Sequence, residues 1–386
     1  QRLKEMGKGK ENKRTEAERA AAARGIAEES IVLLKNNGVL PLKKDALLSV
    51  SGIYAKPDQT DYLSGGGSAA VRWLENTADL PAALTARGFS CAYEPAFGVS
   101  VVHSFRQNAR TAVLNAAKSD VNIVCVGTGG RVEFEEGDRL TMRLPEVQER
   151  VILDSAACNP NTVVIVFAGA AVDMSAWEDS VAAILYAGFP GMGGAEALAD
   201  ILTGKVNPSG KLSETFPLAV EDVPAAGTFR SAGVTRYQEG LDVGYRYFDT
   251  YDVPVLYPFG HGLSYSEFFY RDLRLSLEDG RVIAEYVVEN VSGRDGKEVS
   301  QVYVGEDVPL VYRPKKELKG FSKDLIKAGK CVKVRVGLDF RAFAHWNAAR
   351  DTWTVTDGVY TVSVGASAED IRLTAKLRVE DGKFVL

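Results

Sequence analysis

The sequence predicts an α/β fold, a mainly parallel sheet sandwiched by helices, followed by an all-β sandwich. Two observations predict it. From about residue 47 to residue 202, short apolar runs alternate with amphipathic segments of helical period, the pattern of βαβ units with helices on both faces of a sheet. After about residue 266 the helical period stops and apolar residues recur at every second position, the period of strands with one buried face. This change divides the chain into a linker (1–15), an α/β domain (16–265) and a β-sandwich domain (266–386). A chain of 386 residues is long enough for two such units.

The elements follow in order. Residues 1–14 are charged and without apolar periodicity. Thr15-Glu-Ala-Glu18 forms a capping box and starts an Ala-rich helix expected to run to about Leu34. Ala23, Ile26, Ala27, Ser30, Ile31 and Leu34 would be its apolar face, and Pro41 stops any continuation. Strands are expected at Leu47–Tyr54, Phe89–Tyr93, Val121–Gly127, Thr162–Ala168 and Val181–Ala187. Helices are expected near Leu80–Arg87, Phe105–Lys118, Pro145–Ala157 and Gly194–Leu202. Period-two strands follow at Arg281–Glu289, Val299–Val304, Val332–Leu338 and Val359–Ser363, separated by turn signals such as Asp279-Gly280 and Asp357-Gly358. Short strands at this spacing indicate an immunoglobulin/fibronectin-like sandwich.

Composition narrows the function classes. A net charge of −5 argues against a nucleic-acid partner. No apolar run approaches the ~18 residues needed to cross a bilayer, so no membrane partner is expected. The four cysteines (Cys91, Cys125, Cys158, Cys331) lack metal-type spacing, which predicts free thiols and a cytoplasmic setting. Secretion stays open because the chain starts at Gln1 rather than Met, as a processed or partial polypeptide would. No metal site and no cofactor are expected.

The most informative stretch is Gly127–Arg139, GTGGRVEFEEGDR. It leaves the end of the apolar run Val121–Val126, and ligands in open α/β sheets bind at such strand ends. Glu133, Glu135, Glu136 and Asp138 crowd there, so like-charge repulsion should push at least one carboxyl toward staying protonated, as a general acid requires. Three glycine clusters invite a nucleotide reading and fail it. Gly127-Thr-Gly129 leads into this acidic run, which would repel pyrophosphate. Gly204–Lys211 is one residue too long for a phosphate-binding loop and has Leu212 where Ser or Thr belongs. Gly188–Gly194 joins a strand to a helix without a Lys or Arg, and reads as a tight turn. Gly262-Leu-Ser264-Tyr-Ser266 is not a nucleophile elbow. Glycosidic cleavage uses two carboxyl groups, and retaining enzymes hold them ~5–5.5 Å apart across the sugar. One loop supplies the acid more readily than both.

Several stretches in order resemble the glycoside hydrolase family three, of β-glucosidase type. They are Ala27–Asn36 with Val39–Leu42, Ser64-Gly-Gly-Gly-Ser-Ala69, Glu133–Arg139 with Leu144–Gln148, Gly188–Gly194, Val206–Leu212, Thr215-Phe-Pro217, Val243–Tyr247 and Tyr257–Tyr265. In the tail, Arg313–Phe321 and Gly358–Val362 resemble the family's fibronectin type III-like domain. The resemblance implies that Glu135, four residues before Arg139, is the general acid/base, with Glu133 the alternative if the loop shifts by two. It further implies that Ser68, Glu133, Asp138 and Arg139 line or brace the sugar site. The family's catalytic (β/α)8 barrel, with its nucleophilic aspartate and Lys-His pair, has no counterpart here. The chain is thus expected to be the non-barrel part of a retaining β-glucosidase that hydrolyses terminal β-D-glucosyl residues. Its partners would be a β-glucoside or oligosaccharide and a (β/α)8 barrel domain or chain, with homo-oligomerisation left open. The competing reading is a non-catalytic carbohydrate-binding or scaffolding homologue.

Overall fold

The computed structural model describes residues 15–56, 77–97, 105–129, 133, 135, 137–229 and 233–386. The elements run α1 (Glu16–Ser30), β1 (Val32–Asn36), β2 (Leu47–Ser51), α2 (Leu80–Thr85), β3 (Ser90–Glu94), α3 (Phe105–Ala116), β4 (Val121–Gly127), α4 (Glu146–Cys158), β5 (Thr162–Phe167), β6 (Ala183–Tyr186) and α5 (Gly194–Leu202). A short pair β7 (Phe216–Pro217) and β8 (Val255–Tyr257) flanks α6 (Tyr245–Thr250). The second half holds β9 (Phe268–Glu278), β10 (Arg281–Asn290), β11 (Gly296–Glu306), β12 (Glu317–Ile326), β13 (Cys331–Leu338), β14 (His345–Asn347), β15 (Thr352–Thr354), β16 (Gly358–Gly365), β17 (Ile371–Glu380) and β18 (Lys383–Val385).

The first half folds around a six-stranded sheet of order β1-β6-β5-β4-β2-β3. All neighbours are parallel except β1, which runs antiparallel to β6. Every residue of β4 and of β5 is buried, as expected of central strands covered by helices on both faces. Because β4, β5 and β6 are parallel, their carboxyl ends lie together on one edge of the sheet.

The second half is a sandwich of β13-β10-β9 against β12-β11-β16-β17-β18. Alternate residues of β10 (Val282, Ala284, Tyr286, Val288) and residues of the facing sheet such as Val302, Val362 and Leu377 form its core. The Tyr286 hydroxyl is satisfied inside it by Ser300 at 2.6 Å, which removes the cost of a buried orphan.

Two expected elements are corrected. The first helix begins at the capping box as read, with the Thr15 hydroxyl accepting from the Glu18 N–H at 3.2 Å and Glu18 accepting from the Thr15 N–H at 2.7 Å. It ends at Ser30 rather than Leu34, and Val32–Asn36 is an edge strand. Ile31, Val32, Leu33 and Leu34 are all at most 2% exposed. A surface helix buries a single stripe, whereas a strand under helices buries consecutive residues. Ile26, expected on the buried face, is 70% exposed, and only Ala27 of the helix is buried. Instead α1 is tied to α5 by Arg24, which ion-pairs with the buried Asp200. The strand expected at Leu47–Tyr54 stops at Ser51, and β9, β12 and β17 were not anticipated.

The two halves meet along a polar seam. Asn207 donates to the Ser266 hydroxyl (2.8 Å) and the Asp295 carbonyl (3.0 Å), and accepts from the Ser264 hydroxyl (2.9 Å) and the Tyr265 N–H (2.8 Å). Glu29 pairs with Lys297 and with Lys323, the latter at 2.6 Å. The glycine segment that imitates a phosphate loop serves this region. Lys211 donates to the Gly262 carbonyl at 2.8 Å, and a side chain at Gly210 would strike the carbonyls of Ser30 and Ile31.

Candidate functional site

The acidic loop begins where β4 ends, beside the ends of β5 and β6. Its base is fixed by a reciprocal pair. Gln148 of α4 accepts from the Gly127 N–H at 2.8 Å and donates to the Gly127 carbonyl at 3.0 Å, fully buried. Thr128 N–H then donates to the Phe167 carbonyl at 3.0 Å, extending the pairing to β5 by one residue.

Glu133 turns back onto this base. One carboxylate oxygen accepts from the Thr128 hydroxyl at 2.5 Å and from the Gly169 N–H at 3.1 Å. Gly169 leaves room for it, because a Cβ there would collide with the Glu133 carboxylate and the Phe189 ring. The Arg139 guanidinium donates to the Ala171 carbonyl at 3.0 Å and the Met142 carbonyl at 3.1 Å. Further along, the Asp173 N–H donates to the Met142 carbonyl at 2.9 Å and Arg143 ion-pairs with buried Glu149 of α4. The loop is therefore held at its start by Glu133 and at its end by Arg139. Between them, Glu135 and Asp138 are exposed. Ser68, the remaining expected site residue, lies outside the described residues, as does the Ser64–Ala69 stretch.

Sequence reading missed Glu214. It precedes Thr215-Phe-Pro217 and shares surroundings with Glu133, Arg139 and Tyr186 at the same sheet edge. Burial pushes its carboxyl above the ordinary range, and the Glu133 charge adds to this against the opposing pull of the Ala171 N–H and Arg139. Burial also pushes the Tyr186 hydroxyl up; that hydroxyl donates to the Ala168 carbonyl at 2.7 Å. A half-buried carboxyl that favours its proton thus stands at the same sheet edge as the loop. The only sequence signal for Glu214 was its place immediately before a stretch that carried the resemblance.

The chemistry that the described residues bring together here is that of carboxyl groups. Among the described residues, no group of three or more His, Cys, Asp or Glu side chains is arranged to hold a metal ion. The cysteines Cys91, Cys125, Cys158 and Cys331 are free thiols, and burial pushes Cys125 far above its ordinary value, which makes it inert as a nucleophile.

Comparison with known proteins gives consistent matches. Residues 31–265 match the model of the glycosyl hydrolase family 3 C-terminal domain, and residues 298–368 match that of the fibronectin type III-like domain. The chain is 38% identical over 368 residues to thermostable beta-glucosidase B of Acetivibrio thermocellus, covering 92% of this chain and 48% of that protein. It is 35% identical over 374 residues to the exo-alpha-(1->6)-L-arabinopyranosidase of Bifidobacterium longum, covering 94% and 49%. Among solved structures it resembles a family 3 beta-glucosidase from Bifidobacterium adolescentis with a TM-score of 0.90 at 35% identity, over 97% of this chain and 56% of that one. The chain spans about half the length of these relatives.

Proposed function

Because the chain belongs to glycosyl hydrolase family 3, we propose that it is the proton-handling half of a retaining β-glucosidase, with Glu135 as general acid/base. A (β/α)8 barrel, on another segment or chain, supplies the nucleophilic carboxylate and most of the sugar pocket. The observation that carries this reading is the division within one loop. Glu133 and Arg139 are bonded to the sheet edge, while Glu135 between them is exposed. A proton donor for a site built by a second domain has to be held at a fixed place and yet face outward.

The steps follow from that placement. Glu135 in its acid form gives its proton to the glycosidic oxygen as the bond from that oxygen to the anomeric carbon breaks, and the barrel's carboxylate bonds to that carbon. Glu135, now a carboxylate, takes a proton from the water that displaces the enzyme carboxylate, which regenerates both groups. Asp138 lies on the exposed span with Glu135, Arg139 braces its far end and Glu133 its start; Ser68 is assigned to the sugar side. The chain's own contribution is orientation and the proton, worth ~10²–10⁴-fold for the acid/base group.

The test is complementation. Purified barrel polypeptide of the same enzyme, mixed with this chain, should hydrolyse an aryl β-glucoside that neither piece hydrolyses alone. Failure of a folded, associated mixture to turn over overturns the reading.

A further inference from the structure

A cleft lies on the β-sandwich, away from any carboxylate assigned above. Its volume is about 680 Å³ and its walls include Tyr312, Arg313, Glu317, Lys319, Trp346 and Trp353, a size typical of small-ligand sites. One wall is the ribbon of β14 and β15, three residues per strand, on which Trp346 and Trp353 stand directly opposite each other. Their ring centres are 5.7 Å apart with planes at 72°. The Arg341 guanidinium lies 3.9 Å from the Trp353 ring centre, which stiffens that ring and covers one of its faces. So short a ribbon needs this packing to persist. The packing nevertheless leaves Trp346 49% exposed and Trp353 37% exposed.

The floor is polar and already neutralised. Arg313, 8% exposed, donates to the Phe343 carbonyl at 2.7 Å and pairs with Glu306 at 3.3 Å and Glu317 at 3.6 Å. Glu317 also pairs with Lys319 at 3.1 Å. An anionic ligand would have to displace these carboxylates from their cations. A purely apolar ligand would strip water from the charged floor without replacing its hydrogen bonds. A pyranose satisfies both surfaces, because it has an apolar face of C–H groups and a rim of uncharged hydroxyls. We propose that this cleft binds a neutral glycan chain, with one sugar ring stacked on Trp346 and its hydroxyls reaching the Lys319, Glu317 and Asn347 side chains. The site would hold an oligosaccharide independently of the reaction at the acidic loop.

The 386-residue chain, without a barrel, is titrated with cellotetraose by calorimetry, with glucose as the short comparison. Saturable binding is expected, stronger for cellotetraose. Trp346→Ala should weaken it at least about tenfold, while Trp346→Tyr, which keeps a flat ring, should stay within about threefold. Lys319→Ala leaves the tryptophan pair in place and should weaken binding about threefold or more. It decides the matter if Trp346→Ala fails to fold. Absence of saturable binding, or binding unchanged in all of these variants, overturns the proposal. So does concentration-dependent self-association abolished by Trp346→Tyr, which would make the cleft a protein contact. No hydrolysis is measured, so this outcome leaves the reading of Glu135 untouched.

Discussion

Glu133 and Glu135 are the same residue type two positions apart in one loop, and the fold treats them in opposite ways. Glu133 accepts from Thr128 and Gly169 at the ends of β4 and β5; Glu135 is exposed. The difference teaches how a loop can be tied to a sheet edge and still present a carboxyl on the surface. Bonds from Glu133 and Arg139 tie both ends of the loop to the sheet edge, and Glu135 stays on the surface, where the proposed partner domain would meet it. It also separates the two effects a substitution can have, on chemistry and on scaffold.

The largest expected effect breaks the pair apart. In the barrel-complemented enzyme, Glu135→Gln should lower kcat/KM for glucosides with poor leaving groups by ~10²–10⁴-fold with an unchanged melting temperature. Glu133→Ala should act chiefly on the scaffold. The buried Thr128 hydroxyl loses its acceptor, at a cost of ~1–3 kcal/mol, while the exposed Gly169 N–H turns to water; the loss is read by chemical denaturation, with activity falling only as far as the loop loosens. Reversal of these two patterns would exchange the roles of the residues, the alternative left open by the two-residue shift.

How far this contrast was legible in the sequence depended on which physical signal each residue left. The β4 run and the acidic stretch after it placed a loop at a strand end, because full burial and a polar exit are local patterns. The direction in which Glu133 points is not local: it depends on Gly169, thirty-odd positions on, leaving space that only the folded sheet brings near. Glu214 was hidden for the same reason, since a single Glu before Thr-Phe-Pro carries no period. The helix drawn through Ile31–Leu34 failed because apolar residues at 23, 26, 27, 30, 31 and 34 fit a helical face, while the consecutive apolar run at 31–34 also fits a buried strand. Pairing with β6 decided between them. In the sandwich, β17 is legible, since Ile371, Leu373, Ala375, Leu377 and Val379 alternate with polar residues, whereas β12 is not, because its apolar residues Leu318, Phe321, Leu325 and Ile326 keep no period of two.

A smaller effect sharpens the comparison by adding the half-buried member of the cluster. Glu214 has its folded value raised above 4.5 by burial. Its contribution to stability is therefore fully present below the unfolded value and is lost as pH rises through the folded one. Glu214→Gln should remove that dependence, so the variant gains on the native chain between pH 4 and pH 7, measured by melting temperatures across that range. A gain that runs the other way would mean that Arg139 rather than burial governs this group.

The smallest effect concerns the seam. Burial alone would raise Glu29, but Lys297 and Lys323 outweigh it and hold its carboxyl below its ordinary value of 4.5. Its stabilisation is present above that value and is lost as pH falls through the lower folded one. These side chains are partly exposed, so Glu29→Gln should cost at most ~1 kcal/mol, seen as faster amide exchange in β11 and β12 near neutral pH and no difference in strong acid. Equal exchange in the two proteins at neutral pH would remove Glu29 from the account of the seam.

The central claim, that Glu135 delivers and recovers the proton, is tested most directly by leaving-group dependence in the barrel-complemented Glu135→Gln variant. For a dinitrophenyl β-glucoside, whose leaving group needs no proton, kcat/KM should stay within about tenfold of the native value, and added azide should raise kcat by replacing the water that Glu135 no longer activates. Equal losses of kcat/KM on dinitrophenyl and alkyl β-glucosides, with no response to azide, would contradict it.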